Sequence, residues 1–195
     1  MVKNKRIHIL AESAVMLALA TVLSMIHLWK MPFGGSLTPL SMLPICMVGL
    51  RHGPRWGFGC AFTYSVIQLA LDLASVLSWG LTPVVLIACI FLDYIFAFTA
   101  LGICGLFNRS ADKKHLRIKM CIGVALALFA RFVCHYISGV TLWTESAVAE
   151  GYSPYIYSAL YNGSFMLPEL ILTEVAVIVL MTVPQFRRLL NMDAE

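Results

Sequence analysis

The stretch that decides how this chain is interpreted runs from Arg131 to Asn162 and reads RFVCHYISGVTLWTESAVAEGYSPYIYSALYN. It is rich in histidine, tryptophan, tyrosine and acidic residues, whereas the rest of the sequence is apolar. The pattern predicts a helix that leaves through His135, a connection of roughly 20 residues, and a last helix from Asn162; connections of that length are usually functional or disordered. Its many aromatic rings need packing partners, which argues against disorder and predicts a small-molecule pocket at one membrane face.

The composition around this stretch is that of a membrane protein. Of the 195 residues, 60% are hydrophobic and only 12% are charged, and the mean hydropathy is +0.85. These values lie outside the range of soluble domains. The length accommodates about six membrane helices of roughly 20 residues each, so we predict a single all-α integral membrane domain over residues 1–195 with six transmembrane helices. Any ATPase that energises it is then expected to be another chain.

Six apolar segments give the predicted spans. They cover about residues 7–28, 37–50, 56–73, 83–106, 118–138 and 162–183. The first has no small-residue cleavage site and is predicted to be a retained helix. The second is too short for an upright span and contains Pro39 and Pro44, which predicts a tilted and kinked or partly re-entrant segment.

Lysine and arginine fall almost entirely on one side of these spans. That side carries Lys3, Lys5, Arg6, Arg51, Arg55, Arg109, Lys113, Lys114, Arg117, Lys119, Arg187 and Arg188. The opposite side carries Lys30 alone, and Arg131 lies within the fifth span. The positive-inside rule therefore predicts that both termini are cytoplasmic, in a multi-pass protein of the cell membrane. The net charge of +4 is thus interpreted as a topology signal, and no nucleic-acid partner is predicted.

Three connections are predicted to share the outer side. They are the glycine-containing segment after the first helix, the break from Ser78 to Pro83, and the aromatic stretch between the last two helices. Such connections can close over a pocket between helix ends.

Ionisable side chains at membrane depth are functional candidates, because burying a charge in hydrocarbon is costly. Asp93 can serve as a counter-ion or hydrogen-bond acceptor for a cationic or amino-bearing ligand. The alternative is that it pairs with Arg131, since buried charges pair. Glu169 is predicted either to support the site or to contact the ligand, and Glu12 and Glu174 are left unassigned.

His135 lies one helical turn after Arg131, so both side chains can face the same interior side. Trp143 and the neighbouring tyrosines provide flat faces that stack on planar rings and attract cations. An interfacial aromatic belt is the alternative, and it accounts for Trp29, Trp56 and Trp79. It does not account for His135, Trp143, Tyr157 and Asn162 together, which we interpret as ligand contacts.

The sequence offers little support for catalysis or for a bound metal. The six cysteines lie inside apolar runs without metal-ligand spacing and are interpreted as small buried hydrophobes. No nucleophile–base pair, phosphate loop or HExxH motif is present. We therefore predict a non-enzymatic protein with no catalytic residues, no metal and no cofactor.

Several segments carry a resemblance to a known family. They are CHYISGVTLW (134–143), YSALYNGS (157–164), ESAVMLA (12–18), GGSLTPLSMLPI (34–45) and LDY (92–94), the last followed by Ala97 and Phe98. Across essentially the whole chain, this set resembles the thiamine-binding S-component of energy-coupling factor (ECF) transporters, the ThiT/YuaJ family. The first two segments are its specific parts.

The resemblance implies a thiamine pocket that contains His135, Trp143, Tyr157 and Asn162, with Trp143 stacked on a ring of the vitamin. It also implies that Asp93 occupies an acidic position that is glutamate in other members, and that Tyr94, Asp93's neighbour, is a further polar contact. Tyr64 stands where some members carry tryptophan, and the family's tryptophan from the first outer loop has no clear match. A carboxylate, aromatic rings and an amide suit a ligand with a thiazolium cation and an aminopyrimidine.

The resemblance further implies partners. These are a transmembrane coupling subunit (the T-component) and two cytoplasmic ATPases, with Ala14 and Ala18 of the first helix in the interface. Small residues at this spacing allow close helix approach, although packing within this chain is an alternative. Two other functions stay open: an S-component for another aromatic vitamin or precursor, and an independent proton-coupled carrier that uses Asp93 or Glu174.

Overall fold

The computed structural model describes residues 2–31, 34–107 and 115–189. Its helices are α1 (Val2–Ser24), α2 (Leu43–His52), α3 (Pro54–Ser78), α4 (Pro83–Phe107), α5 (Leu116–Leu142), α6 (Thr144–Ala149), α7 (Pro154–Leu180) and α8 (Pro184–Leu189). Its strands are β1 (Trp29–Lys30) and β2 (Ser36–Leu37). In the described part of the chain, five helices are long and apolar enough to cross a membrane: α1, α3, α4, α5 and α7.

Large apolar side chains point outward along these five helices. Ile7 of α1, Val84 of α4 and Ile171 of α7 are each more than half exposed. Such a surface is unfavourable in water and favourable in lipid. The chain is therefore an all-α, multi-pass membrane protein, as the composition predicted. The count of six spans and the cytoplasmic termini remain predictions, and Arg109, Lys113 and Lys114 lie outside the described residues.

The second predicted span is a ten-residue helix inside the bundle. At 1.5 Å per residue, α2 is about 15 Å long, half the hydrocarbon thickness of a bilayer. Its residues from Pro44 to Leu50 are all buried. Gly49 makes this burial possible, because a Cβ there would lie 2.8 Å from Cys104 Sγ on α4. α2 is therefore a core element whose own length is too small to cross the bilayer.

Charged groups join α2 to the first helix. Arg51 and His52, the last residues of α2, both pair with Glu12 of α1, the His52 Nε2 at 3.1 Å. Glu12, which the sequence left unassigned, therefore connects α1 to α2. On the same helix, Ala14 and Ala18 are exposed.

The segment between α1 and α2 contains a hairpin that the sequence did not predict. The first helix ends at Ser24, earlier than expected, and β1 pairs antiparallel with β2, with Trp29 opposite Leu37. Gly34 has φ +97°, a conformation that glycine adopts without strain. The glycines therefore turn the chain back on itself between two short strands.

α4 changes its hydrogen-bonding pattern along its length. It is α-helical from Pro83 to Cys89, π-helical from Ile90 to Phe96, briefly α-helical again, and 3₁₀ from Ala100 to Phe107. π-turns inside helices are rare and occur frequently at functional sites. This one carries Asp93 and Tyr94.

The stretch from Arg131 to Asn162 is more helical than predicted. α5 continues to Leu142, α6 occupies part of the connection, and α7 begins at Pro154 rather than at Asn162. The prediction of a roughly 20-residue connection was therefore wrong, because polar and aromatic residues on a helix face had been interpreted as a loop. Tyr157 and Tyr161, one helical turn apart, stack with their ring centres 6.0 Å apart.

Candidate ligand-binding site

A cavity of about 470 Å³ lies between helix ends, where the hairpin, the α3–α4 connection and the α5–α7 connection meet. This volume is in the range of small-molecule sites. Every residue for which the sequence predicted a ligand contact lines it: Tyr64, Asp93, Tyr94, His135, Trp143, Tyr157 and Asn162. Residues from four helices, α3, α4, α5 and α7, and Trp143 between α5 and α6 thus meet around one space.

Contacts beside the cavity join the hairpin to α7 and to the other two connections. The Gly35 N–H donates to the Tyr161 hydroxyl at 3.2 Å, and a Cβ on Gly34 would lie 3.2 Å from the Trp79 ring. Trp79 in turn meets Trp143 edge to face, with 5.5 Å between ring centres and 75° between planes. The small size of the hairpin glycines therefore lets the backbone lie directly against aromatic side chains.

Asp93 is bonded to α5 rather than to Arg131. Its Oδ1 lies 2.9 Å from His135 Nδ1, and its Oδ2 accepts from the Ser138 hydroxyl at 2.5 Å and from the Cys89 thiol at 3.4 Å. Because a carboxylate only accepts, Nδ1 of His135 carries a proton, and in the neutral form of the ring Nε2 is then an acceptor. Nε2 is buried and has no partner among the described residues, so a ligand donor at the cavity wall can satisfy it.

Arg131 has a different acidic neighbour. Its guanidinium NH1 lies 4.0 Å from Glu169 Oε2, and its Cζ lies 4.5 Å above the Phe98 ring. Glu169 is fully buried and accepts from the hydroxyls of Thr38 at 3.0 Å and Ser41 at 3.3 Å. The pairing of Asp93 with Arg131, one of the two alternatives, is thus replaced by a pair between Arg131 and Glu169. This pair fixes the chain just after the hairpin.

Asn162 joins the last long helix to α5. Its side-chain nitrogen donates to the His135 carbonyl at 3.2 Å and to the Ser158 carbonyl at 3.0 Å. These bonds occupy the amide nitrogen and leave the amide oxygen as an acceptor at the cavity. Asn162 therefore orients the backbone beside His135 as well as lining the site.

Two further tyrosines, Tyr64 and Tyr94, line the cavity. Tyr64 is fully buried, meets Phe98 edge to face at 5.4 Å, and its hydroxyl lies 3.5 Å from the Ala20 carbonyl. Tyr94 donates its hydroxyl to Asp72 Oδ2 at 3.2 Å. Tyr64 thus packs α3 against α1 and α4, while Tyr94 directs a second carboxylate toward the cavity.

The lining residues that the sequence interpretation missed include Trp79, Asp72 and Tyr161. Trp79 had been attributed to the interfacial belt, but its ring packs on Trp143. Asp72 had been overlooked among the ionisable residues, although Tyr64, Gln68 and Asp72 recur every four residues and so share one face of α3. That polar face on an otherwise apolar helix was the available signal.

The chemistry of the cavity suits a planar, partly cationic small molecule with polar edges. Two tryptophans provide apolar faces, two carboxylates provide negative charge, and His135 and Asn162 provide acceptors. An apolar cavity with a few convergent polar groups is the usual form of a ligand site.

Comparisons with known proteins agree with this chemistry. The family model described as thiamine transporter protein (Thia_YuaJ) matches residues 10–188. The thiamine transporter ThiT of Bacillus subtilis strain 168 is 32% identical over 201 residues, with 98% of each chain covered. ThiT of Lacticaseibacillus paracasei is 29% identical, with 94% of this chain and 91% of that protein covered. A solved structure of ThiT from Listeria monocytogenes has a TM-score of 0.71 at 25% identity, covering 94% of this chain and 98% of that one. With a family model matched over most of its length and a relative above 30% identity, the chain belongs to the thiamine transporter family Thia_YuaJ.

Proposed function

We propose that this chain is the membrane-embedded subunit that binds thiamine with high affinity for an ECF-type, ATP-driven vitamin transporter. The observation that carries the proposal is the cavity, in which Trp143, the Asp93–His135 pair and Asn162 come together. Membership of the thiamine transporter family supports the identity of the ligand. Thiamine itself is the transported molecule, and no cofactor is needed for its binding.

The lining residues match the two halves of the vitamin. Trp143 and Trp79 offer faces for an aromatic ring, and stacking on tryptophan also favours a ring that carries positive charge. His135 Nε2 and the Asn162 oxygen offer acceptors for the amino group of the pyrimidine. Tyr157, Tyr94 and Tyr64 complete the wall. Buried acceptors of this kind discriminate against ligands that lack the matching donor, because they would then remain unpaired.

Coupling to ATP hydrolysis is proposed through α1. Ala14 and Ala18 are exposed on this helix, and small residues at four-residue spacing let a second helix approach closely in lipid. We assign this surface to the T-component, which joins the chain to two cytoplasmic ATPases. The basic groups near Arg51 and Arg187 belong to the cytoplasmic side in this arrangement. Both termini are then cytoplasmic in a six-span protein of the cell membrane, with α2 counted as the short second span.

The test is a titration of the purified chain with thiamine, followed by tryptophan fluorescence. Because Trp143 and Trp79 line the cavity, binding should quench emission with a saturable, stoichiometric profile. Trp29 is 64% exposed and is not among the lining residues, so a Trp29→Phe control should keep the same binding curve. A purified, folded chain with no thiamine-dependent change in fluorescence or heat would overturn the ligand assignment.

The coupling proposal needs its own experiment. Reconstituted vesicles that contain the chain, a T-component and the ATPases should take up thiamine only with ATP. Uptake by the chain alone, driven by a proton gradient, would instead favour the carrier function. Glu174, one candidate proton site for such a carrier, is outside the cavity lining.

A further inference from the structure

We propose that Asp72, oriented by Tyr94, is the charge-selective group of this site and interacts with the positively charged ring of the ligand. This inference rests on the proposed thiamine site and adds to it a residue that discriminates charged rings from neutral ones. The observation behind it is that the cavity has two carboxylates, on α3 and α4, in different hydrogen-bonding states.

The carboxylate of Asp93 is already engaged. Three donors from within the protein, on His135, Ser138 and Cys89, bind its two oxygens. A carboxylate has about four lone-pair sites, so little capacity remains for a ligand. Asp93 also acts on its neighbour by holding the His135 ring in one tautomer and orientation. Its geometry is that of a positioning group.

The carboxylate of Asp72 is in the opposite state. Among the described residues it accepts one hydrogen bond, from the Tyr94 hydroxyl at 3.2 Å. That bond helps to orient the carboxylate and leaves its other lone-pair sites without a hydrogen bond from the described residues. Asp72 is also exposed, so a ligand can reach its carboxylate. A cationic ring that enters the cavity can make a charge contact with it.

A second polar side chain, Gln68, lies on the same face of α3 as Asp72. Gln68, one turn earlier, donates to the Ser24 hydroxyl at 2.9 Å and both residues line the cavity. That bond holds the end of α1 beside α3, so Asp72 projects from a fixed wall. A contact made by a side chain on a helix that is held in place is more selective than one made by a mobile surface side chain.

Two basic side chains of the protein, His27 and Lys30, interact electrostatically with Asp72. Lys30 belongs to β1 of the hairpin. Lys30 is exposed, and an exposed lysine on a long stem gains little from such a pair. A ligand cation inside the cavity is better placed, because fewer waters screen it.

The experiment compares two ligands on the full-length chain: thiamine, and an analogue in which a neutral thiophene replaces the thiazolium. Asp72→Asn keeps the shape and removes the charge. We expect it to weaken thiamine binding about ten- to a hundredfold and binding of the neutral analogue by less than about threefold, the range for a partly screened charge contact. Glu150→Gln removes an exposed acid from the α5–α7 connection and should leave both dissociation constants unchanged.

Three outcomes would overturn the inference. Equal losses for both ligands, or no loss for thiamine, would remove the charge-selective role of Asp72. We expect the Lys30→Gln variant to bind thiamine at least as tightly as wild type. If it weakens thiamine binding as much as Asp72→Asn does, the role of Asp72 is to hold the hairpin through Lys30. If Asp72→Asn is unstable, Asp72→Glu should keep the preference for thiamine and Asp72→Ser should lose it. A wild-type chain that binds neither ligand refutes the proposed function itself, which distinguishes the two failures.

Discussion

Replacing Asp93 with asparagine tests how the site is held together. The substitution preserves shape and removes the charge that accepts from His135 Nδ1 at 2.9 Å and from Ser138 at 2.5 Å. Hydrogen bonds to charged groups contribute about 1.5–3 kcal/mol and neutral ones about 0.5–1.5 kcal/mol. Two weakened bonds therefore amount to about 1–3 kcal/mol, or roughly 5- to 150-fold in the dissociation constant.

The loss should be shared by charged and neutral ligands. Asp93 acts on the ligand through the orientation of His135, whose Nε2 has no partner among the described residues. A His135 ring that rotates or changes tautomer presents a donor where the ligand needs an acceptor. Thiamine and its neutral thiophene analogue should then weaken by similar factors, in contrast to the result expected for Asp72→Asn.

Isothermal titration calorimetry on wild type and Asp93→Asn, with both ligands, measures the four dissociation constants required. Expression should be unaffected, because Arg131 keeps Glu169 as its neighbour at 4.0 Å. A loss confined to thiamine would return the counter-ion role to Asp93 and refute this reasoning. A drop in expression would show that Arg131 also depends on Asp93, and would refute the assignment of Glu169 alone as its partner.

Three further substitutions probe the ligand, the core and the partner surface. Trp143→Ala should weaken thiamine binding by about 1–3 kcal/mol without unfolding the chain, because stacking and cation–π contacts fall in that range; an unchanged dissociation constant in the fluorescence titration would leave Trp143 as a belt residue. Glu169→Gln should lower stability by up to about 3–5 kcal/mol, since it leaves the Arg131 charge buried without its partner; an unchanged midpoint in a thermal-shift assay would contradict this. Bulky residues at Ala14 and Ala18 should leave thiamine binding intact and abolish ATP-driven uptake, whereas normal uptake and co-purification with the coupling subunits would show that this surface is not the interface.

Local chemistry made much of the bundle predictable. Apolar runs between glycine, proline and basic breaks predicted the long helices, because transferring such runs from water to lipid is strongly favourable in free energy. The break before Pro83 lies where it was expected, since proline is favoured at the first turn of a helix. The same rule would have placed the start of α7 at Pro154. That start was missed because polar and aromatic residues follow Pro154. In the sequence they resemble a loop, although on the helix they line one face.

Features that depend on tertiary packing were not predictable. The π-turn of α4 gives no composition signal, because Ile90–Phe96 reads as an ordinary apolar helix. The pair between Arg131 and Glu169 joins residues from different helices, and nothing in the sequence ranks it above a pair with Asp93. The contact of Trp79 could not be predicted for the same reason. Its place beside a glycine break fits a belt residue equally well, and its contact with Trp143 depends on how two connections meet.

The π-turn of α4 carries the aspartate that bonds to α5. From Ile90 to Phe96 the turn is wider than an α-helical one, and it sets the backbone path at Asp93. The carboxylate of Asp93 reaches His135 at 2.9 Å and Ser138 at 2.5 Å. A carboxylate drawn onto α5 in this way is directed at His135, which leaves the task of meeting the ligand's charge to Asp72 on the facing helix.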